Sequence, residues 1–546
     1  MYRRRGEGLK RIEQYVANGL MLTGVGLLLR FGGVLWNAWI AGKLGESGIG
    51  LFSLITSVYG LAVTFAVSGS AFACSRLTAS AIGAGRQERL RGISLCCMCY
   101  GLLFGIASGA VLYLTAVPIG MSWLNDARTV SSLRMLSFSL PAVSVSSALS
   151  GYFTGVRRLG RSTVVSVAEQ LVGITVTAIA VIRIPQGNLE LSCLALCLGS
   201  VTGSLFALCG ELWVWKRDTD RLPSASDRRR NGGILGSVLK TALPIAVSAY
   251  LRSGLLTVEH LLIPVGLRRS GADAENALAM YGIIHGMAFS VVLFPQAFTA
   301  AFTSLLVPEM AEAQARGDTG FIRRNCARVL RFTLLFAFLC AGLLICFSDS
   351  IGRLLFQSER AGNYIRILSV LIPVMYLDSA VDHVLKGLGE QFYSMCVNIA
   401  DSACSVIGVW VLLPKYGIVG YLWVLFFCEI LNACLSVARL LYLTRVRVRI
   451  VRWIAVPAFL SATVSALLHG ITVWLPQDGY PALICGIAAY CLLYTSLLRL
   501  FGTVRQRDIR WLQNKLRRKH KTVAEEDTSA TVAYRYSDAG SGAGVR

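Results

Sequence analysis

The stretch VANGLMLTGVGLLLRFGGVLWNAWIA, residues Val16–Ala41, decides the fold that we predict for this chain. A helix needs about 20 apolar residues to cross a bilayer, and this stretch is long enough. Arg30 interrupts it near its middle, and a helix rises about 29 Å from Arg11 to Arg30. A guanidinium at that depth costs at least about 2.5 kcal/mol unless it faces a bundle interior or a water-filled cavity. The stretch therefore predicts a membrane helix with an anion site, or alternatively a pair between Arg30 and a buried carboxylate.

The composition of the whole chain agrees with this interpretation. Of its 546 residues, 55% are hydrophobic and only 15% are charged, which excludes an ordinary soluble protein and favours a polytopic membrane protein. The net charge of +23 is concentrated in short loops and in the C-terminal tail, where it suits an anionic membrane leaflet better than nucleic acid. The 16 cysteines lie mostly inside apolar runs, so we predict neither a disulfide framework nor a metal site.

Hydropathy predicts an all-α polytopic membrane protein with about fourteen transmembrane helices. The predicted spans are residues 17–41, 50–75, 93–116, 130–153, 163–183, 191–215, 241–265, 278–306, 330–347, 364–385, 392–413, 418–443, 451–475 and 481–500. Alternate loops between these spans are rich in Arg and Lys, and the positive-inside rule assigns such loops to the cytoplasm. Both termini are then cytoplasmic.

The two halves of the chain repeat each other. LRMLSFSLP at Leu133–Pro141 matches IRILSVLIP at Ile365–Pro373. The same alignment, continued without a gap, pairs Glu169 with Asp401. Because each unit holds six spans, both units keep one orientation, and we predict two parallel six-helix lobes around a central cavity.

The predicted domain boundaries follow from the spans and the polar linkers. They are an N-terminal lobe at 1–218, a cytoplasmic linker at 219–233, a C-terminal lobe at 234–444, two extra helices at 445–500 and a basic tail at 501–546. In the tail, Arg505–Lys521 places apolar residues on one helical face among basic ones. This pattern predicts an interfacial helix that binds anionic lipid, with a solvated charged tail as the alternative.

Several stretches resemble one family of transporters. They are AGKLGESGIGLFSLITSVYGLA (Ala41–Ala62), GYFTGVRR (Gly151–Arg158) followed by Glu169–Gln170, the segment Tyr281–Ala313, and YLDSAVDHVLKGLGEQ (Tyr376–Gln391). Together they are similar to the stage V sporulation protein B group of polysaccharide and lipid-precursor flippases, which belongs to the multidrug/oligosaccharidyl-lipid/polysaccharide exporter superfamily. The resemblance covers about residues 12 to 500 and implies two six-helix lobes, alternating access and two C-terminal helices that form a lipid-facing groove.

The resemblance and the buried charges together predict a transporter. We expect a bacterial inner-membrane flippase that moves a lipid-linked saccharide bearing a diphosphate, such as a peptidoglycan or polysaccharide precursor used in sporulation, and that makes or breaks no bond. The alternatives are a cation-coupled multidrug exporter of the same superfamily and, less favoured, a membrane-embedded glycosyltransferase. We expect a monomer without a cofactor, apart from a coupling ion that is H⁺ or Na⁺. The saccharide, the lipid length and the ion are left open.

Two arginines form the core of the predicted cargo site. Arg30 in LLRFG (Leu28–Gly32) matches Arg252 in YLRSG (Tyr250–Gly254). Paired guanidiniums at a lobe interface could hold a diphosphate through bidentate hydrogen bonds. Glu259 lies two helical turns beyond Arg252, on the same helical face, and is assigned to the same site. His260 is interpreted as a packed polar residue.

Four acids are predicted to balance charge or to carry the coupling ion. Glu169 and Asp401 are the matched acids of the two halves, and the favoured interpretation is that they neutralise Arg30 and Arg252 when cargo is absent. Asp378 and Asp382 lie one helical turn apart in a single span. Asp382 can pair locally with Lys386, one turn further on, whereas Asp378 has no local partner in the sequence.

Overall fold

The computed structural model describes residues 2–184, 188–220, 234–304, 306–472 and 479–502, and over these residues the chain is helical with no strand. The α-helices are α1 (Tyr2–Val67), α2 (Ser70–Gly83), α3 (Leu90–Pro118), α4 (Thr129–Ser137), α5 (Leu140–Val156), α6 (Leu159–Arg183), α7 (Leu189–Thr219), α8 (Ile234–Arg269), α9 (Ala274–Tyr281), α10 (Phe289–Leu293), α11 (Gln296–Ser304), α12 (Val307–Ala315), α13 (Thr319–Phe356), α14 (Glu359–Ser369), α15 (Ile372–Gly387), α16 (Gln391–Thr444), α17 (Val456–Thr472) and α18 (Tyr480–Leu500). The predicted all-α fold is confirmed. The tail segment 505–521 and most of the linker lie outside the described residues.

Long helices cover most of the predicted membrane spans, but the predicted span 130–153 is divided between α4 and α5 and is not among them. Ten helices in the described part are long and apolar enough to cross a membrane, or eleven if the bent pair α14–α15 counts as one span. Two of the ten, α1 and α16, each contain a glycine whose backbone is not helical, Gly45 (φ 72°) and Gly417 (φ 57°). Each of these helices therefore holds two predicted spans. The total of fourteen remains a prediction.

The sequence repeat is also a backbone repeat. Helix α4 ends at Ser137 and α5 begins at Leu140, whereas α14 ends at Ser369 and α15 begins at Ile372. The two breaks thus fall at positions that the sequence alignment of the halves pairs with each other. Since a proline lies in the first turn of both α5 and α15, where proline is tolerated, each proline marks the start of a helix.

A glycine with positive φ follows the first long helical stretch of each half, at a different distance from its arginine. Gly45 (φ 72°) follows the first long helical stretch of the first half, and Gly271 (φ 103°) follows that of the second half. A helix rises about 22 Å from Arg30 to Gly45 and about 28 Å from Arg252 to Gly271. The two arginines therefore lie at different distances from the glycines that follow their helical stretches, and the depth of Arg30 in the bilayer remains a prediction.

The two halves share a core at one end of the bundle and have separate cores at the other end. The shared core combines Ile49 and Leu51 of α1 with Tyr281 and Ile284 of the second half. At the other end, a first-half core forms around α3 and α5. The second half contributes to this core only the start of α8. A distinct second-half core forms around α13 and α15. Toward the basic loops the halves therefore have largely separate cores, which meet where Gly69 touches Ala242 of α8, and we call the space between the halves there the cleft.

Glycines let the helices of the first half approach closely. Gly101, Gly105 and Gly109 follow one stripe of α3, and a Cβ atom at Gly105 would lie 2.9 Å from the Pro141 Cα and 2.2 Å from the Ser144 Oγ. Small residues spaced four apart allow such close contact between membrane helices. The contact holds α3 against the break between α4 and α5.

We expect Gly105→Val to destabilise the first half because the added side chain has no room beside α5. Overpacking of this kind costs about 1–3 kcal/mol, and the midpoint of thermal unfolding in detergent should fall accordingly. Ala110→Val is the matched control, because Ala110 is exposed on the same helix. An unchanged midpoint for Gly105→Val would show that the helices can separate without loss.

Candidate functional site

Arg30 is exposed and lies beside a contact between the two halves. Its neighbours on α1 are also exposed, Leu28 by 71% and Phe31 by 49%. The Phe31 ring lies 5.7 Å from the ring of Phe294, just beyond α10 of the second half. Within the described part of the chain, no side chain forms an ion pair with Arg30. Its guanidinium is thus exposed and, among the described residues, without an ion pair, next to the seam between the halves.

Arg252 occupies the corresponding place in the second half. It is exposed on α8, and the adjacent Ser253 accepts a hydrogen bond from the Thr64 hydroxyl of α1 at 3.1 Å. Arg252 also interacts electrostatically with Asp378 and Asp401. Unlike Arg30, it therefore has acidic neighbours within its own half.

Four half-buried carboxylates gather in the second half, on α8, α15 and both parts of α16. They are Glu259, Asp378, Asp401 and Glu429. Glu429 interacts electrostatically with each of the other three, and Glu259 with Asp401. The structure thus brings three of the acids predicted from sequence into one group, which we call the acidic cluster.

Polar side chains within the cluster satisfy some of its oxygens. The Asn432 amide donates to Asp378 Oδ2 at 3.2 Å, and Ser405 and Ser436 hydrogen-bond to Glu259 and Asp378. Asp378 Oδ1 and Asp401 Oδ1 are buried without a hydrogen-bond partner among the described residues. A buried carboxylate oxygen without a donor is poised to bind a proton or a cation. In the described part of the chain, no group of three or more His, Cys, Asp or Glu side chains is placed to hold a metal ion.

Asp382 has an ion-pair partner and is not counted in the acidic cluster. The Lys386 ammonium lies 2.6 Å from Asp382 Oδ2, one turn along α15. This is the local pair that the sequence predicted as one of two possibilities. Asp382 Oδ1 is nevertheless buried without a hydrogen-bond partner among the described residues, as are Asp378 Oδ1 and Asp401 Oδ1.

The matched acid of the first half is arranged differently. Glu169 lies on α6, and its neighbour Gln170 donates to the backbone carbonyl of Leu29 at 3.4 Å. This contact brings α6 to the level of Arg30, yet the described residues show no ion pair between Glu169 and Arg30. Among the described residues, the predicted neutralisation thus has a structural basis for Asp401 and Arg252 but not for Glu169 and Arg30. Glu169 interacts electrostatically with Tyr59 and with Glu211 of α7.

A pair of histidines lies beside the acidic cluster. His260 Nδ1 is 2.6 Å from the Tyr281 hydroxyl, and His285 Nε2 is 2.8 Å from the Tyr421 hydroxyl. The two imidazole rings lie 4.6 Å apart. His260 is therefore a packed polar residue, as predicted. His285 lies in the π-helical turn Gly282–Ala288, a feature that hydropathy does not reveal.

The closed end of the cleft is held by polar contacts between the halves. Glu46 accepts a hydrogen bond from the Ser358 hydroxyl and lies 3.8 Å from the Arg360 guanidinium. Arg360 also donates to the Asn276 side chain at 3.1 Å. A Cβ atom at Gly282 would lie 2.4 Å from the Glu46 carbonyl oxygen, so the two halves touch through backbone there.

Sequence reasoning missed Glu429 and Glu211. Both are ionisable residues inside apolar runs, which is the signal that singled out Glu259 and Asp401. Glu211 is 5% exposed on α7 and accepts a hydrogen bond from the Ser162 hydroxyl at 3.3 Å. The same criterion, applied to every span, would have found them.

Comparisons with known proteins agree with the resemblance found in the sequence. The family model described as polysaccharide biosynthesis protein matches residues 15–225, and the MatE model matches residues 270–411. Stage V sporulation protein B of Bacillus subtilis (strain 168) is 23% identical over 513 residues, which are 91% of this chain and 97% of that protein. The resemblance stated from the sequence is thus confirmed.

The fold is shared with solved transporter structures. The structure titled "Lipid II flippase MurJ, inward closed conformation" matches with a TM-score of 0.66 and 12% identity over 90% of this chain and 99% of that chain. The inward-facing conformation of a multidrug resistance MATE family transporter matches with a TM-score of 0.59 and 14% identity over 76% of this chain and 93% of that chain. The chain is therefore a multi-pass membrane protein with the fold of these transporters.

We expect Arg252→Gln to lower stability more than Arg30→Gln because only Arg252 has acidic neighbours among the described residues. Removing it leaves Asp401 without its cation and Asp378 with Lys386 alone, and an unpaired buried polar group costs about 1–3 kcal/mol. The second substitution Asp401→Asn should restore part of the loss. Thermal unfolding of the three variants in detergent provides the measurement, and equal midpoints for both single variants would contradict the expectation.

Proposed function

We propose that this protein moves a lipid-linked saccharide carrying a diphosphate across the bacterial inner membrane by alternating access. The observation that carries the proposal is the position of Arg30 and Arg252, each exposed on its own half and each next to a residue that contacts the opposite half. A guanidinium binds phosphate oxygens bidentately and keeps its charge at every accessible pH. Two of them at one cleft suit a doubly charged headgroup.

The shape of the bundle supports alternating access. The halves meet at the end that holds Glu46 and have largely separate cores toward the basic loops, so that a headgroup would enter from the side of those loops. If those loops are cytoplasmic, as the positive-inside rule predicts, this structure receives cargo from the cytoplasm. Opening of the closed end requires the contacts of Glu46 with Ser358 and Arg360 to break. No covalent chemistry is needed, because cargo shifts the populations of the two conformations.

Two comparisons support a peptidoglycan or polysaccharide precursor as the cargo class. The chain is similar to Stage V sporulation protein B, and it shares its fold with a lipid II flippase. The same fold in a multidrug resistance transporter supports a second candidate, a cation-coupled drug exporter. The acidic cluster favours that candidate, since carboxylates attract cationic drugs. Arg252 disfavours it, because its charge offsets the cluster at the seam.

We expect Arg30→Gln to weaken binding of a polyprenyl diphosphate to the purified full-length chain. Loss of one charge-assisted partner costs about 1.5–3 kcal/mol, or about tenfold to a hundredfold in affinity. Arg252→Lys keeps the charge beside Asp378 and Asp401 but loses the planar fork, so that it should reduce binding by a smaller factor.

Arg316→Gln is the matched control, because Arg316 is 73% exposed and pairs only with the exposed Glu312 in the described structure. Binding and flipping are measured together in liposomes that contain the folded variants. Normal binding and flipping by Arg30→Gln and Arg252→Lys would return both arginines to a structural role. Export of a cationic drug without lipid flipping would favour the second candidate.

We also propose that the acidic cluster couples transport to a proton or sodium gradient. Asp401 interacts electrostatically with Arg252. A cation bound at Asp401 therefore competes with Arg252 for the carboxylate and frees the guanidinium for cargo. Asp401→Asn should leave diphosphate binding intact and abolish stimulation of flipping by an imposed gradient, tested separately for H⁺ and Na⁺. The exposed acid Glu312 provides the control variant Glu312→Gln. A full gradient response in Asp401→Asn would refute the coupling role.

The basic tail lies outside the described residues, and its binding to anionic lipid remains a prediction, as does a monomeric state.

A further inference from the structure

Two histidines and two tyrosines form a hydrogen-bonded group next to the acidic cluster. They are His260 of α8, Tyr281 at the end of α9, His285 of the π-helical turn and Tyr421 in the second part of α16. His260 Nδ1 lies 2.6 Å from the Tyr281 hydroxyl, and His285 Nε2 lies 2.8 Å from the Tyr421 hydroxyl. The centroids of the two imidazole rings are 4.6 Å apart, so the two pairs are in contact. We call these four side chains the His–Tyr network.

The network starts at the acidic cluster. His260 directly follows Glu259 on α8, and both tyrosines interact electrostatically with Glu259. The titratable groups that face the network from outside it are Glu259, Glu429 and Cys428. A proton that leaves the network therefore meets carboxylates of the acidic cluster.

From the cluster, the network extends toward the closed end of the bundle. Gly417 divides α16, and a Cβ atom there would lie 3.3 Å from the Ser270 Oγ, at the end of α8 that is away from the basic linker. A helix rises about 24 Å from Asp401 to Gly417, and about 18 Å from Gly417 to Glu429 but only about 6 Å from Gly417 to Tyr421. Tyr421 thus lies about 12 Å nearer to the closed end than Glu429 does.

The network also touches the joint between the two halves. His285 lies in the π-helical turn Gly282–Ala288, between two glycines that pack against α1 of the first half. A Cβ atom at Gly282 would overlap the Glu46 carbonyl oxygen, and one at Gly286 would overlap the Ile49 side chain. π-Helical turns are rare and occur frequently at functional sites. A change in the protonation of His285 would therefore occur directly beside the contact that has to open.

We propose that the His–Tyr network conducts protons between the closed end of the bundle and the acidic cluster, so that the coupling ion is H⁺. This proposal rests on the proposed function, in which the acidic cluster responds to an ion gradient. Imidazole and phenol groups both accept and donate protons, whereas they offer no comparable route to Na⁺. The packed position of His260 agrees with this role, because a group that passes protons has to be held close to its partners.

The transfer needs no group beyond those in the network. Each imidazole uses one ring nitrogen for its tyrosine, so that His260 Nε2 and His285 Nδ1 remain for exchange between the rings. A proton that reaches Tyr421 passes to His285 Nε2 while His285 releases its Nδ1 proton to His260. His260 in turn passes a proton through Tyr281 to Glu259. Each member releases one proton for each proton that it accepts, so only the carboxylate changes its charge.

The test replaces each histidine by the amide that keeps its hydrogen bond. The Asn side chain places a polar atom near the position of Nδ1, and the Gln side chain places one near the position of Nε2. His260→Asn and His285→Gln therefore keep the contact with tyrosine but lose the second ring nitrogen. His383→Asn is the matched control, because His383 is half-buried on α15 and its Nδ1 lies 2.7 Å from the Ser379 carbonyl oxygen. Asn398 makes a bond of the same kind in α16.

Flipping of undecaprenyl diphosphate is measured for the full chain in liposomes, with and without an imposed pH gradient, and a trapped pH-sensitive dye records proton flux. We expect the gradient to accelerate flipping by the wild type and by His383→Asn. His260→Asn and His285→Gln should lose this acceleration and the proton flux, whereas probe binding and flipping without a gradient stay at the wild-type level. Tyr421→Phe removes only a hydroxyl and should show the same loss if a histidine variant unfolds.

Proton flux and acceleration that persist in folded His285→Gln or Tyr421→Phe overturn the proposed path. A wild type that responds to a Na⁺ gradient but not to a pH gradient also overturns it and leaves lipid transport in place. Absence of probe flipping by the wild type overturns the proposed function instead, and loss of proton flux in the histidine variants alone would then still support the path.

Discussion

A guanidinium inside the hydrocarbon depth of a bilayer has to face water or an opposite charge, and this constraint shapes the whole molecule. Arg30 and Arg252 are both exposed, and each adjoins a residue that contacts the opposite half. The halves are also joined at the end that holds Glu46. Close backbone contact at Gly282 and the polar contacts of Glu46 provide that joint.

The repeat gives the two halves a helix break at matching positions but different electrostatics. The breaks before Leu140 and Ile372 fall in the same sequence register as the matched acids Glu169 and Asp401. Nevertheless, Arg252 faces Asp401 and Asp378, whereas the described residues provide no ion pair for Arg30. The anion site proposed at both arginines, combined with an acidic cluster in one half, would let cargo engage both halves while an ion acts on one. This division suits a transporter in which cargo and ion compete for the same arginine.

Glycine and proline determine how closely the helices approach and where they bend. Gly105 allows α3 to touch the break between α4 and α5, and Pro141 marks the start of α5. Because hydrophobic burial cannot by itself drive helix association within lipid, such close contacts and the polar contacts between helices determine the packing.

The sequence by itself determined the helical class and most of the long apolar helices, and it singled out most of the ionisable residues within them, because hydropathy and charge are local properties of a membrane helix. Arg30, Arg252 and Asp401 were found in this way. Only the tertiary structure decided which acids meet Arg252, that Asp382 pairs with Lys386, and that His285 faces Tyr421 in a π-helical turn. These contacts depend on how far each helix is rotated and shifted against its neighbours, and no single segment carries that information.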